Sequence, residues 1–217
     1  MIVVIDYGMG NLRSVSKALE ALGAPVRVSS DPHEVARAEK LILPGVGAFP
    51  AAMRELAARQ LIDPIKAAIA SHKPYLGICL GLQLLFEGSD EGEGAKGLGV
   101  LEGTVNRFSV NGSPLKVPHM GWNQIQRQAT PRHGSGQASD KRQGTCPVLA
   151  GISDGSFVYF VHSYYAQPKD RSVVALETEY GGRFASMIWR RNLYATQFHP
   201  EKSQAVGLQL LKNFIAL

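Results

Sequence analysis

The sequence predicts a single α/β domain with a mixed, mostly parallel central sheet and helices on both faces. Strand-like apolar runs alternate with helical patterns over the first 86 residues, as in parallel sheets with crossover helices. From about residue 98 short strand-like runs follow one another directly, which predicts antiparallel additions to that sheet. No linker or internal repeat divides the 217 residues, so we expect one domain over 1–217.

Predicted strands and helices alternate along the first half of the chain. Asn11 is a candidate N-cap for the first helix, and Asp31 followed by Pro32 is a strong start for the second. The expected strands are IVVID, VRVS, KLILP and PYLGIC. The expected helices lie between Asn11 and Gly23, in DPHEVARA, in the 48–71 region and in LGLQLLF.

The second half is expected to extend the sheet and close with a helix. The predicted strands are GVLEGTVNRF, FVYFVHSYY, SVVALE, FASMIWR and LYATQF. In the final SQAVGLQLLKNFIAL, Val206, Leu210, Phe214 and Leu217 recur at helical spacing.

The positive charge of the chain is concentrated in one segment. Of the formal net charge of +5, +3 falls on segment 127–147, which holds no large aliphatic or aromatic residue. We therefore expect no nucleic-acid partner, and we expect 127–147 to be a mobile insertion loop. Cys146, at the edge of this segment, is expected to be an unpaired thiol near the surface.

Several other function classes are excluded by composition. Two cysteines make no disulfide framework, and the chain shows neither a signal peptide nor an apolar run long enough to span a membrane. We expect a cytoplasmic protein without membrane contact. Scattered histidines lack metal-ligand spacing, and no dinucleotide or phosphate loop is complete, so we expect neither metal nor cofactor.

Cys79 lies in GICLGLQLLF, between a predicted strand and a predicted helix. Small residues on both sides of a strand-to-helix turn are typical of an exposed nucleophile, and the positive end of the helix would favour a thiolate. The N–H groups that follow, beginning with Leu80, could hold an oxyanion. A buried cysteine acting as a small hydrophobe explains this motif alone equally well.

The segment QFHPE favours the catalytic interpretation of Cys79. Pro200 ends a strand, so His199 is expected at the carboxyl edge of the sheet, where sites of parallel α/β proteins lie. Glu201 is close enough to orient the imidazole of His199, which would be the base for a thiol. In LPGVGAF, the glycines at 45 and 47 allow N–H groups to turn inward, either as a substrate cradle or as a plain turn.

These pieces resemble the triad-type, or class I, glutamine amidotransferases, through GICLGLQ and QFHPE. Within that family, DYGMGNLRSV, LPGVGAF, PHMGWN and FVHSYY are similar to the glutaminase subunits of imidazole glycerol phosphate synthase. The resemblance covers nearly the whole chain and lapses in 127–147. It implies a glutaminase that supplies ammonia for imidazole glycerol phosphate formation in histidine biosynthesis.

The resemblance also implies roles for individual residues. It makes Cys79 the nucleophile that forms a thioester with L-glutamine, His199 the proton shuttle and Glu201 its orienter. The oxyanion would be held by the N–H of Leu80 and that of Val46 or Gly47. The positions similar to glutamine-binding ones are Gly47, Gln83, Ser163 and Tyr164.

The family further implies a partner, a (β/α)₈-barrel cyclase subunit that forms a heterodimer and receives ammonia. The positions resembling the interface and ammonia gate are Asn11, Met120, Trp122, Tyr159 and Lys202. Apart from the family, Trp122 is equally well explained as an ordinary core tryptophan, and Gln83 as a solvated helix residue.

Three alternatives stay open at this point. The chain could be a glutaminase serving another synthase, such as one making guanylate or pyridoxal phosphate, although YGMGNLRSV and PHMGWN speak against it. It could be a cysteine hydrolase or peptidase of similar fold, which would have no need of Gln83 together with Glu201. It could also be a scaffold subunit without catalysis, which the intact Cys79, His199 and Glu201 oppose.

Overall fold

A computed structural model describes residues 1–109, 115–128 and 145–217. In chain order, the strands of the described residues are β1 (Ile2–Ile5), β2 (Val26–Ser29), β3 (Lys40–Gly45), β4 (Tyr75–Cys79), β5 (Gly88–Ser89), β6 (Ala95–Lys96), β7 (Gly103–Arg107), β8 (His119–Gln124), β9 (Gln126–Arg127), β10 (Phe157–His162), β11 (Tyr164–Pro168), β12 (Val174–Glu179), β13 (Arg183–Arg190) and β14 (Leu193–Thr196).

The helices of the described residues lie mainly in the first half of the chain. They are α1 (Leu12–Ala21), α2 (Pro32–Arg37), α3 (Phe49–Ala58), α4 (Ile62–Ala70), α5 (Leu80–Gln83) and α6 (Gln204–Ile215), with 3₁₀ helices at Pro147–Leu149, Arg171–Val173 and Pro200–Lys202. None of these helices is long and apolar enough to cross a membrane.

The central sheet has eight strands in the order β2-β1-β3-β4-β14-β13-β12-β9. From β2 to β14 all neighbours are parallel, because a helix returns the chain after each of β1 to β3, while β13, β12 and β9 add antiparallel. The predicted mixed, mostly parallel sheet is therefore confirmed.

Side chains alternate between two hydrophobic cores on opposite faces of the sheet. Val3 and Ile5 pack in the core that also buries side chains from α2, α3 and α4. Ile2 and Val4 pack in the core that buries side chains from α1 and α6. Because successive side chains of a strand point to opposite faces, these short apolar runs support helices on both sides, as predicted.

Part of the second half departs from the prediction. FVYFVHSYY is not one strand: β10 pairs with β8 in a two-stranded sheet, whereas β11 pairs with β7 in a four-stranded sheet. The chain bends at Ser163, where the carbonyl oxygen accepts a hydrogen bond from the Phe108 N–H at 3.0 Å. An apolar run alone does not reveal such a change of partner, since both strands carry the same kind of side chain.

Several predicted helices differ in detail. The 48–71 region forms two helices, α3 and α4, interrupted around Gln60, whose φ is +56°. The helix predicted in LGLQLLF ends at Gln83. Asn11 is at the N-cap position of α1, but its side chain makes no capping hydrogen bond, whereas Asp31 caps α2 by accepting from the His33 N–H at 2.8 Å.

The predicted loop 127–147 falls mainly on residues 129–144, which lie outside the described residues. Its ends belong to the fold, since Arg127 is in β9 and Pro147 begins a 3₁₀ helix. Cys146 is buried in the core beside α6, so the expectation of a thiol near the surface was wrong. Burial raises the pKa of this thiol to about 12.

Candidate active site

The site is built on the turn between β4 and α5. Cys79 ends β4 with φ +55° and ψ −106°, a strained conformation for a residue with a side chain, and α5 begins at Leu80. This is the predicted strand-to-helix turn. With four residues, however, α5 offers N–H groups at its start but little macrodipole to favour a thiolate, contrary to the expectation.

The glycines that flank Cys79 are explained by close backbone packing. A Cβ atom at Gly81 would overlap the carbonyl oxygen of Leu43 on the neighbouring strand, and one at Gly77 would overlap the backbone of Gly81. Larger residues would push α5 away from β3 and β4. The glycines are therefore needed to hold Cys79 at the sheet edge.

His199 and Glu201 form a buried pair beyond the end of β14. Nδ1 of His199 lies 2.9 Å from Oε1 of Glu201, and the two side chains are only 2% and 1% exposed. The Tyr159 carbonyl accepts the His199 N–H at 3.0 Å, and Pro200 begins a 3₁₀ helix that turns Glu201 back toward the ring. The opposite ring nitrogen, Nε2, is buried without a hydrogen bond of normal geometry.

Cys79 is close enough to His199 to affect its charge. Burial by itself would lower the pKa of His199, but interactions with the Cys79 thiolate and the Glu201 carboxylate raise it above its ordinary value. The two side chains interact electrostatically, although Nε2 of His199 has no hydrogen-bond partner of normal geometry. The arrangement favours a charged imidazole beside Cys79.

A cavity of about 330 Å³ opens beside Cys79. Its lining includes the residues predicted to hold the oxyanion and glutamine, namely Val46, Gly47, Leu80, Gln83, Ser163 and Tyr164. The volume is at the lower end of the range of small-molecule sites. The structure thus brings the nucleophile candidate and all of these positions to one cavity.

Gln83 is buried, so it is not the solvated helix residue that the sequence alone allowed. Its Nε2 donates to the Tyr164 carbonyl at 2.9 Å and to Oε1 of Gln197 at 3.1 Å. Nε2 of Gln197 lies 3.6 Å from Sγ of Cys79. The Gln83 side chain therefore connects α5 to β11 at the cavity wall.

The segment after β3 faces the same cavity. Gly47 has φ +99°, a conformation that favours glycine, and Val46 is exposed. An exposed segment with glycine at a positive φ can change its backbone conformation, which is compatible with an oxyanion site that forms when substrate binds. The assignment of Val46, Gly47 and Leu80 to an oxyanion hole stays a prediction.

Sequence reasoning missed several residues around the site. Tyr7 is buried with an unpaired hydroxyl, and burial followed by the nearby Cys79 charge raises its pKa. Glu91 and Pro118 line the cavity, and Gln197 contacts Cys79. Gln197 stands in the QFHPE motif and could have been noticed there, whereas a loop residue such as Glu91 gives no periodic signal.

Four of the five predicted interface positions lie together at the surface, on the β8–β10 sheet and beside it, with Tyr159 half-buried. Met120 and Trp122 are 66% and 46% exposed, so Trp122 is not a core tryptophan. The Trp122 and Tyr159 rings meet edge to face at 6.0 Å, and Nζ of Lys202 lies 5.8 Å from the centre of the Tyr159 ring. We call these four residues the aromatic patch. Asn11, the fifth position, precedes α1, which packs against the 3₁₀ helix containing Lys202.

A larger cavity, of about 630 Å³, lies around Leu193 at the opposite end of β14. Its lining holds cationic groups such as Lys66 and Arg190 but no cysteine, so it lacks the nucleophile that the sequence singled out. Across the described residues, no three histidine, cysteine or acidic side chains are grouped to hold a metal ion.

Comparison with known proteins decides the family. The family model described as "Glutamine amidotransferase class-I" matches residues 3–217. The chain belongs to this family. The class-I amidotransferase fold is the observed one: a mixed sheet whose parallel half carries the cysteine at the carboxyl end of a strand.

Curated relatives of this amidotransferase share about half of its residues. The protein named "Imidazole glycerol phosphate synthase subunit HisH" from Syntrophotalea carbinolica is 51% identical, over 99% of this chain and 98% of the relative. Proteins of the same name from Geobacter sulfurreducens and Rhodopirellula baltica are 49% and 50% identical, each with at least 96% of its length covered.

Solved structures share the fold at lower identity. The crystal structure of a glutamine amidotransferase superposes with a TM-score of 0.72 at 16% identity and full coverage of both chains. The structure of PurLQS from Thermotoga maritima gives 0.69 at 19% identity, covering 99% of this amidotransferase and 95% of that chain.

Proposed function

We propose that this amidotransferase is the glutaminase subunit of an imidazole glycerol phosphate synthase and acts in histidine biosynthesis. The observation that carries the proposal is the buried His199–Glu201 pair next to Cys79 at a cavity of suitable size. Relatives of that name, about 50% identical over nearly the whole chain, support the choice of synthase.

The proposed chemistry is acyl transfer through a thioester. The Cys79 thiolate attacks the side-chain carbonyl carbon of L-glutamine, forming a C–S bond and a tetrahedral oxyanion. As the C–N bond breaks, the proton on Nε2 of His199 goes to the leaving nitrogen, which departs as ammonia. His199 then takes a proton from water, which attacks the thioester and releases glutamate and the Cys79 thiolate.

Glu201 confines both proton transfers to Nε2 of His199. With Oε1 at Nδ1, the carboxylate fixes the imidazole so that Nε2 is the nitrogen that exchanges protons with substrate, and its charge stabilises the imidazolium. The N–H of Leu80, with that of Val46 or Gly47, would stabilise the oxyanion, and Gly47, Gln83, Ser163 and Tyr164 would shape the glutamine site.

The partner in this proposal is a (β/α)₈-barrel cyclase subunit that docks on the aromatic patch. Exposed Met120 and Trp122, supported by Tyr159 and Lys202, form the kind of anchor that dominates binding energy at interfaces. Asn11 would lie at the margin of this contact. The patch adjoins the His199 segment, since the Tyr159 carbonyl accepts the His199 N–H, and ammonia would leave the cavity toward the partner.

Replacement of the nucleophile, Cys79→Ala, tests the proposal in two assays with the cyclase subunit present. Glutamine-dependent formation of imidazole glycerol phosphate should disappear, while formation from added ammonia should persist. Cys146→Ala is the matched control and should keep both activities, because this thiol is buried and is not among the residues that line the cavity. Loss of both activities in the Cys79 variant would indicate damaged assembly.

The alternative functions make different predictions in the same preparation. A glutaminase of another synthase would bind another acceptor subunit and not the cyclase. A peptidase of this fold would cleave peptides in preference to glutamine. A subunit without catalysis would hydrolyse no glutamine under any condition.

A further inference from the structure

Two buried histidines that the proposed chemistry does not use lie directly behind the cavity. His119 on β8 and His162 on β10 are opposite each other in the β8–β10 pairing, with Nδ1 of His119 at 3.0 Å from Nε2 of His162. His162 also lines the cavity beside Cys79. Buried polar atoms need hydrogen-bond partners. The partner of each ring nitrogen in the two histidines therefore shows which nitrogen carries a proton.

The tautomers of the pair follow from the groups at its two ends. At one end, Nδ1 of His162 lies 2.8 Å from the Tyr164 carbonyl, which only accepts, so this nitrogen carries a proton. At the other end, Nδ2 of Asn123 donates to the Glu179 carbonyl at 3.0 Å, which fixes the amide orientation. The same Nδ2 lies 3.2 Å from Nε2 of His119, so that nitrogen accepts.

Both ends give one consistent assignment. If Nε2 of His119 accepts, its Nδ1 carries the proton and donates to Nε2 of His162. That nitrogen accepts, which again leaves the proton of His162 on Nδ1. Every hydrogen bond therefore points the same way, from Asn123 through His119 and His162 to the Tyr164 carbonyl.

The surroundings keep the pair neutral. Phe160 and Tyr180 stack on the His119 ring at 4.8 and 3.9 Å between ring centres. Burial lowers the pKa of His119 to about 4. Burial, partly opposed by the Tyr164 carbonyl and assisted by the charges of His119 and His199, lowers that of His162 to about 3.

The hydrogen bonds continue from Tyr164 to the nucleophile. The Tyr164 carbonyl accepts from both His162 and Gln83, so the two elements that line the cavity, β11 and α5, meet at this one oxygen. Gln83 also donates to Gln197, whose Nε2 faces Sγ of Cys79 at 3.6 Å. Reversing the hydrogen bonds of the histidine pair would therefore change the contacts of residues that line the cavity.

We propose that His119 and His162 are positioning residues for the glutamine site, acting as a fixed one-way pair of donors that holds the Tyr164 carbonyl in place. The inference rests on the proposed glutaminase function, because it assigns the pair to substrate binding. The pair moves no proton in the reaction. Its effect is on the geometry of the bend at Ser163, between β10 and β11.

The kinetic test compares two amide replacements of the same residue in the complex with the cyclase. In His162→Asn the amide nitrogen stands in for Nδ1 and keeps the donor to Tyr164, whereas in His162→Gln the amide occupies the Nε2 position and that donor is lost. We expect the KM for glutamine to rise about tenfold in the Gln variant, with kcat within about threefold, and to stay near wild type in the Asn variant. Equal effects of the two replacements, or none, would overturn the proposal.

Two further measurements cover the case in which a variant does not fold. His119→Asn keeps the donor to His162 and should behave as wild type, whereas His119→Gln loses it and should raise KM. In ¹⁵N NMR of the wild-type protein at pH 7, both rings should show a protonated Nδ1 and an unprotonated Nε2. A protonated Nε2 on either ring would refute the assignment. A wild-type complex that hydrolyses no glutamine would instead refute the proposed function, while the NMR result would still report on the pair.

Discussion

Nδ1 of His199 lies 2.9 Å from Oε1 of Glu201, and neither side chain has appreciable contact with solvent. A single residue of chain separates them, and this residue, Pro200, begins the turn that folds one back on the other. A buried carboxylate at this position strongly favours a proton on Nδ1. The other ring nitrogen, without a partner, is left to face Cys79.

Removing the charge of this carboxylate should abolish most of the glutaminase activity. Glu201→Gln keeps the shape of the side chain but permits the opposite imidazole tautomer and no longer stabilises the imidazolium. We expect kcat/KM for glutamine to fall roughly 10²- to 10⁴-fold in the cyclase complex. Glu55→Gln, at an exposed pair with Arg59, is the control and should have no effect. A Glu201 variant within twofold of wild type would contradict the assigned role.

The close packing behind Cys79 predicts an unequal response to two glycine substitutions. Gly81→Ala places a Cβ against the Leu43 carbonyl and should lower the free energy of unfolding by about 3 kcal/mol or more. Gly23→Ala, where nothing lies within 4 Å but φ is +78°, should lower it by only about 1 kcal/mol. Urea unfolding followed by circular dichroism measures both. Equal losses would mean that the turn is not sterically constrained.

The aromatic patch should matter for association and little for folding. Because Trp122 is half exposed in the free chain, Trp122→Ala should raise the Kd for the cyclase at least about tenfold while changing the thermal midpoint little. The control is Val28→Ala, an exposed apolar residue on edge strand β2. An unchanged Kd for the Trp122 variant, measured by calorimetry, would place the interface elsewhere.

The neutral histidine pair predicts that stability falls in mild acid. The pKa values of about 4 for His119 and about 3 for His162 lie below the value of roughly 6.5 expected in the unfolded chain. Below pH 6.5 the unfolded state therefore binds more protons, and the free energy of unfolding decreases by up to about 1.4 kcal/mol per pH unit for each histidine until their folded pKa values are reached.

A variant comparison isolates this contribution. The double variant His119→Asn/His162→Asn should lose less stability than wild type between pH 7 and pH 5 in urea unfolding. His33→Asn, at an exposed position, should follow the wild-type curve. Parallel curves for wild type and the double variant would show that the pair already titrates normally in the folded protein.

The sequence by itself determined the α/β class, the parallel strands β1 to β4 and the residues of the candidate triad. Those features are local: short apolar runs, the glycines around Cys79, and a histidine, proline and glutamate in succession each limit the backbone within a few residues. For the same reason the sequence alone pairs Glu201 with His199.

Only the tertiary structure decided what depends on contacts between distant segments. FVYFVHSYY divides between two sheets because its halves pair with β8 and β7, and Cys146 is buried in the core to which α6 also contributes. The histidine pair exists because β8 and β10 align His119 with His162 across 43 residues of chain. Pairing register and burial are set by the whole fold, so no local pattern in the sequence encodes them.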